Sequence, residues 1–363
     1  MRAIQLVLFY TLPIIVGCGN RASVFASDVD TPYVSMLPAE CPGCTLYMTD
    51  LHSGWLHSSR GVWSTSDGGV HWKQVVLPRK LSSYDFLVSH FDSRYHGWVL
   101  YSVSRQLFET SDGAKTWSER ALPEFDGSIQ DAWLSPDANL GWVAGGKYRP
   151  SSSPDAPNYA VKRIDSNHWK VLRGAIFHLG LNGHWETASL PDCSWTVEEV
   201  YFFDRSRGFA LGDGCYFHSE TGGLTWMRGT FNVGGTSYST YPNDGQSPTV
   251  FFINQSEGWL SLDERKRALY RTKDGGKTWS LIASQDGLYF EPGHYGTTLH
   301  FFNSSHGVGI ASDTELLESS DGGATWKRLM LSFLPRSFYF LDQQNGWILS
   351  DSALYRVTLI APK

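Results

Sequence analysis

Three observations in the sequence predict an all-β chain built as a single seven-bladed β-propeller of four-stranded antiparallel blades. The first is a phrase made of an apolar strand, a polar turn and then Gly-Trp or a close variant. It occurs as LYMTDLHSGW, LVSHFDSRYHGW, AWLSPDANLGW, VYFFDRSRGF, VFFINQSEGW, LHFFNSSHGV and FYFLDQQNGW. The glycines are Gly54, Gly97, Gly141, Gly208, Gly258, Gly307 and Gly346, so successive copies lie 43, 44, 67, 50, 49 and 39 residues apart. A period in the forties with four short apolar runs per copy is that of a propeller blade. The second observation is an acid-glycine turn in phase with these phrases: STSDGGVHWKQV, ETSDGAKTWSER, RTKDGGKTWSLI and ESSDGGATWKRL, with a worn copy in HSETGGLTWMRG. The third is composition, since 15 Trp, 20 Phe, 17 Tyr and 36 Gly in 363 residues favour many short strands joined by tight turns over helices.

From the N-terminus, residues 1–17 read as an export signal: one arginine, then a mostly apolar run too short and too proline-interrupted to span a bilayer permanently. The run ends in IIVGC, which resembles the bacterial lipobox, so Cys18 is expected to be acylated and residues 18–31 to form a tether. Four cysteines then remain, Cys41, Cys44, Cys193 and Cys215, and an oxidising compartment makes disulfides the default. CPGC at Cys41 to Cys44 has a redox spacing, but it leads into the strand TLYMTD rather than onto a helix that would lower a thiol pKa. A small structural disulfide is expected there. Cys193 and Cys215 bracket one predicted strand pair and can meet, although the sequence leaves the connectivity open.

The propeller should occupy residues 32–363. Labelling the strands of a blade A to D, the acid-glycine turn joins C to D. Its glycines provide positive φ angles, its acid satisfies the turn's own N–H groups, and its tryptophan packs between blades. Blade three lacks the turn, and residues 145–174 are expected to be an insertion between its strands B and C. Blade seven has FYFLD, GWILS and ALYRVTL but no fourth strand, so PYVSMLP, residues 32–38, is expected to complete it and close the ring.

The turn resembles the Asp-box, or BNR repeat, at Thr65 to Trp72, Thr110 to Trp117, Thr272 to Trp279 and Ser319 to Trp326, with Thr221 replacing the acid before Trp226. The resemblance implies that Asp67, Trp72, Asp112, Trp117, Trp226, Asp274, Trp279, Asp321 and Trp326 are fold elements, away from the ligand face. With its lipobox, Gly-Trp phrases and repeated turns, nearly the whole mature chain is similar to the photosystem II assembly and stability factors and their bacterial relatives. That family implies a non-enzymatic chaperone that binds a membrane-protein precursor. The chain departs from it in the long insertion and in lacking an arginine-rich strip.

A sialidase-like glycosidase or carbohydrate-binding propeller, with a glycan as partner, is the rival reading because such propellers also carry the box. Their Arg-Ile-Pro phrase is missing, and the nearest string is KRID at Lys162. The sequence has no HExxH, GxSxG, P-loop or zinc-spaced Cys/His set, so neither a metal nor a cofactor is expected. Lone histidines such as His178 and His294 read as surface or core hydrogen-bonding groups. A net charge of −6 without a basic block argues against nucleic acid.

The expectation is therefore a monomeric, membrane-anchored binding scaffold of the bacterial cell envelope with a protein partner. In a blade, the A–B and C–D turns share one end and the B–C and D–A loops the other. Length varies at the second end, in the blade-three insertion, the blade four to five loop GTFNVGGTSYSTYPNDGQS, the five to six loop SQDGLYFEPGHYG and DERKRA of blade five, which nominates Tyr148, Arg149, Tyr159, Tyr238, Tyr241, Arg265, Arg267, Tyr289, Phe290, His294 and Tyr295 as partner-binding residues.

Overall fold

The computed structural model describes residues 31–38, 44–82, 87–123, 128–134, 140–146, 161–163, 169–171, 175–180, 184–191, 197–212, 215–233, 235–238, 249–261, 268–284, 298–310 and 314–359. Seven antiparallel blades follow in chain order, each starting with its innermost strand A. Blade one is Thr45–Met48, Gly54–Ser58, Gly61–Thr65 and Lys73–Gln74, and blade two is Leu87–Phe91, Gly97–Tyr101, Gln106–Thr110 and Ser118–Arg120. Blade three is Ser128–Leu134, Gly141–Gly146, Ala175–Leu179 and Trp185–Thr187, and blade four is Val197–Phe202, Gly208–Gly212, Cys215–Ser219 and Met227–Arg228. Blade five is Thr249–Phe252, Gly258–Ser261, Ala268–Thr272 and Thr278–Ser284, and blade six is Leu299–Phe301, Gly307–Ile310, Glu315–Ser319 and Lys327–Met330.

Blade seven closes the ring as expected. Its strands Ser337–Asp342, Asn345–Leu349 and Ala353–Val357 take Tyr33–Met36 as their fourth, which pairs antiparallel with Ala353–Val357. Two flanking bonds fasten the seam: Leu37 N–H to the Ser352 carbonyl at 2.8 Å and Arg356 N–H to the Pro32 carbonyl at 2.9 Å.

The core is seven interblade clusters, one at each seam. A recurring sandwich explains why the phrases carry both Gly and Trp. The tryptophan of one blade's strand B stacks on a phenylalanine of the next blade's strand A: Trp55 on Phe91 at 3.9 Å, Trp142 on Phe202 at 3.6 Å and Trp259 on Phe301 at 3.7 Å. The tryptophan of that next blade's acid-glycine turn meets the same phenylalanine edge-on, as Trp117, Trp226 and Trp326 do. The phrase glycine makes room for the phenylalanine of its own blade: a Cβ on Gly97 would lie 2.2 Å from the Phe91 ring. Steric access, rather than backbone conformation, requires this glycine.

Two expectations need correction. The segment GTFNVGGTSYSTYPNDGQS is not purely a connecting loop. Thr230–Val233 crosses from blade four and pairs in parallel with Thr278–Ser284, then turns back through Thr236–Tyr238, so blade five carries six strands. Phe231 drives this by burying itself against Tyr270 and Trp279. The insertion in blade three also starts later than expected, because Gly145 pairs with Ala175 and Gly146 with Ser128 inside the blade. Within the insertion, Val161–Arg163 and Trp169–Val171 form a hairpin.

Candidate binding face and axial channel

The end bearing the A–B and C–D turns is locked by its own hydrogen bonds. In each acid-glycine turn the first glycine donates its N–H to a carbonyl of the same blade's A–B turn: Gly68 to His52, Gly113 to Tyr95, Gly222 to Ser206, Gly275 to Ser256 and Gly322 to Ser305, all at 2.7–2.8 Å. Both turns therefore share one end, and the B–C and D–A connections emerge at the other. The glycines adopt φ between 67° and 95°, and in blade two Ala114 takes the same left-handed conformation at φ 62°.

The aspartates serve these turns. Asp112 accepts the N–H of Thr116 at 2.9 Å and its hydroxyl at 2.7 Å, and Asp274 and Asp321 repeat the pattern with Thr278 and Thr325. The His71 N–H donated to Asp67 and the Thr116 N–H donated to Asp112 hold both carboxyls down at about 2. In blade four, Thr221 Oγ1 accepts the Thr225 N–H at 2.9 Å, so a hydroxyl replaces the carboxylate as acceptor.

These turns also receive bonds across the seams. Trp142 Nε1 donates to the Gly222 carbonyl, Trp259 to Gly322 and Trp347 to Gly68, at 2.9–3.2 Å. Trp98 faces blade three, which lacks the turn, and its buried Nε1 has no partner. Losing one turn thus leaves a donor unsatisfied in the preceding blade.

Of the residues nominated at the opposite end, Tyr238 is described, half-exposed on the added edge strand of blade five. Tyr148, Arg149, Tyr159, Tyr241, Arg265, Arg267, Tyr289, Phe290, His294 and Tyr295 lie outside the described residues, as do Cys18, Cys41 and Cys193. Cys44 and Cys215 are both disulfide-bonded and buried in separate core clusters.

The sequence reading missed a belt of rings on the axis. One residue before the strand A position that pairs with the phrase glycine stands an aromatic or histidine: Tyr47, His90, Trp133, Tyr201, Phe251, His300 and Tyr339. Each pairs across to the residue that follows its phrase glycine, as in Tyr47 with Trp55 and Tyr339 with Trp347. The rings touch between blades, Tyr47 with Tyr339 at 5.2 Å, Tyr47 with His90 at 6.0 Å, Trp133 with Tyr201 at 6.5 Å and Phe251 with His300 at 4.6 Å. Aligning the seven phrases on their glycines is the signal that could have found it. Burial holds the His300 imidazole neutral, with its pKa down at about 4. Beside the belt, at the seam of blades three and four, Asp131 accepts the Val200 N–H at 3.0 Å, and desolvation pushes its carboxyl up to about 7.

On the A–B turn side lies an open groove of about 640 Å³ lined by residues 251–253 of blade five, 300–302 of blade six and 341–344 of blade seven. Among the described residues, no group of three or more His, Cys, Asp or Glu side chains is placed to hold a metal. No helix of the described residues is long and apolar enough to cross a membrane.

No family model matches the sequence, and no curated protein matches it. Solved structures do resemble it in fold. A structure of YCF48 bound to D1 peptide aligns over 93% of this chain and 99% of its own at a TM-score of 0.62 and 15% identity. YCF48 from Cyanidioschyzon merolae aligns over 90% and 98% at 0.57 and 17% identity. Virginiamycin B lyase from Staphylococcus aureus, solved with quinupristin, aligns over 92% and 99% at 0.60 and 11% identity. At such identities the likeness is one of architecture, and the chain shares with these proteins the seven-bladed propeller.

Proposed function

We propose that the chain is a non-enzymatic, exported binding scaffold, tethered to a membrane through Cys18, that takes a protein partner at the end where the B–C and D–A loops emerge. The observation that carries this reading is the self-saturation of the opposite end, where the acid-glycine turns use their aspartates, glycine N–H groups and carbonyls on one another and on neighbouring blades. Length variation falls at the free end, and long connections on a rigid ring are where recognition residues concentrate. Further support comes from the shared architecture with YCF48, one structure of which holds a D1 peptide, so a segment of a membrane-protein complex is the partner class proposed.

The test is a pull-down from solubilised membranes with the Tyr241→Ala, Tyr289→Ala and Tyr295→Ala triple variant. Capture should fall at least tenfold while the unfolding transition is unchanged. Unaltered capture would overturn the assignment of this face. For the tether, Cys18→Ser should lose detergent partitioning, and a soluble mature protein beginning at another residue would refute it. The rival reading, a sialidase-like glycosidase or glycan-binding propeller, predicts release of reducing sugar from a sialoside or retention on a glycan column.

A further inference from the structure

The belt of rings on the axis keeps surface that packing would have covered. All seven members are at least partly accessible, Tyr201 to 41%, whereas the strand neighbours of Tyr47 (Leu46, Met48) and of Tyr201 (Val200, Phe202) are buried. Accessible aromatic surface gathered in one place marks a binding site. At the seam of blades three and four the belt also has an acid. Asp131 lies two residues before Trp133 on the same face of Ser128–Leu134, and its carboxyl accepts the N–H of Val200, the residue before Tyr201. Trp133 and Tyr201 meet edge-on at 6.5 Å. Tyr47 reaches the same space: burial, then the Asp92 carboxylate and, from across the axis, the Tyr201 phenol push its hydroxyl pKa up. Among the described residues no cation pairs with Asp131, and the cation–π contacts fall on Tyr101, Tyr95, Trp259 and Trp347, outside the belt. The neighbouring carboxylate of Asp92 is already paired with His96 at 2.6 Å. Burial lowers the pKa of both belt histidines, His90 and His300, so neither brings positive charge at neutral pH.

We propose that the axial space beside Asp131, Trp133 and Tyr201 binds a small organic cation, a methylated ammonium, whose methyl groups lie against the rings of Trp133, Tyr201 and Tyr47 and whose charge is countered by the Asp131 carboxylate. The aromatic quadrupole draws a cation, most strongly to tryptophan, and the attraction grows as the site is desolvated. A methylated ammonium suits these rings better than a primary one, because it brings no N–H donors that ring surfaces would leave unsatisfied. An anion is disfavoured by the carboxylate, and a neutral molecule of the same shape loses the term that the site is arranged to supply. Desolvation leaves Asp131 at the edge of ionisation near neutral pH, and an opposite charge against it favours the ionised form. The site goes beyond the proposed partner face and stands independently of it.

The experiment is calorimetric titration of the full chain at pH 8 with choline, with its uncharged carbon isostere 3,3-dimethyl-1-butanol and with ethanolamine. Choline should bind at least about tenfold more tightly than either of the others. Asp131→Asn, which can still accept the Val200 N–H, should weaken choline about fivefold or more and leave the isostere unchanged. Tyr201→Leu should weaken choline by a similar factor, and Tyr201→Phe, which restores the ring, should return it to within about twofold of the parent. Retained cooperative unfolding establishes that each loss is local; should Tyr201→Leu fail to fold, Asp131→Asn decides the matter, since its loss must fall on choline alone. Choline binding no tighter than its isostere, no binding of choline at millimolar concentration, or parental choline affinity in folded Asp131→Asn would overturn the site. Ethanolamine binding as tightly as choline would overturn the assignment of a methylated guest.

Discussion

Ala114 shows the sequence departing from its own repeat at one residue. Other acid-glycine turns place a glycine there, and Ala114 holds the same left-handed φ of 62° against a Cβ penalty. Ala114→Gly should stabilise the protein by about 0.5–1 kcal/mol in denaturant titration, the relief of strain exceeding the added unfolded-state entropy. Gly97→Ala should do the opposite, costing about 1–3 kcal/mol as the Phe91 ring is displaced. Asp131 makes a pH-dependent prediction. Its folded pKa of about 7 lies above the unfolded value, so the native state binds the extra proton and stability falls as pH rises from about 4 to 7, then levels. Asp131→Asn, which can still accept the Val200 N–H, should abolish that slope and raise stability at pH 8 by up to about 4 kcal/mol. An unchanged pH profile of unfolding would show that Asp131 is ionised throughout.

Among the elements, the seams can be compared because the same side chain meets different neighbours. Trp259→Phe removes a hydrogen bond to the Gly322 carbonyl and should cost about 1–3 kcal/mol, whereas Trp98→Phe removes an N–H that has no partner and should cost under about 1 kcal/mol. Equal losses in thermal unfolding would mean that packing alone governs both sites. The comparison also shows why some elements were legible in the sequence and others were not. The repeats announced the blades because each Gly-Trp pair answers a steric demand of its neighbour. In blade five, strand A hid its ring because VFFI reads as one unbroken apolar run in which the core ring Phe252 and its neighbour Phe251 look alike. The crossing strand Thr230–Val233 was hidden for another reason: its residues pair with a strand more than forty positions away, in parallel, and no turn motif marks such a partner.

Over the whole molecule, blade seven is the one blade assembled from two distant parts of the chain, Tyr33–Met36 and residues 337–357. Deleting residues 19–38 should leave Ala353–Val357 as a bare sheet edge beside unfilled space under Leu37 and Val34. Unfolding in that variant should accelerate by more than tenfold, and the protein should self-associate in sedimentation; a monomer with unchanged unfolding rate would show that the six complete blades hold the ring unaided. The architecture was legible because a forty-residue period admits few folds. Most nominated partner residues were placed by loop length alone, which fixes the end of the ring at which they emerge but no geometry among them.

The joining of Tyr33–Met36 to Ala353–Val357 also fixes an order of events during synthesis. Tyr33–Met36 is made early yet is among the last strands to find its place, because its mate is translated more than 300 residues later. At ribosomal rates the interval is on the order of half a minute, far longer than a hairpin needs to form. During that time blades one to six can assemble as an open arc while the early strand waits unpaired. A prematurely terminated chain can never complete the circle. The clasp therefore works as an inspection of completeness, and its antiparallel register permits closure only once the final blade has been made.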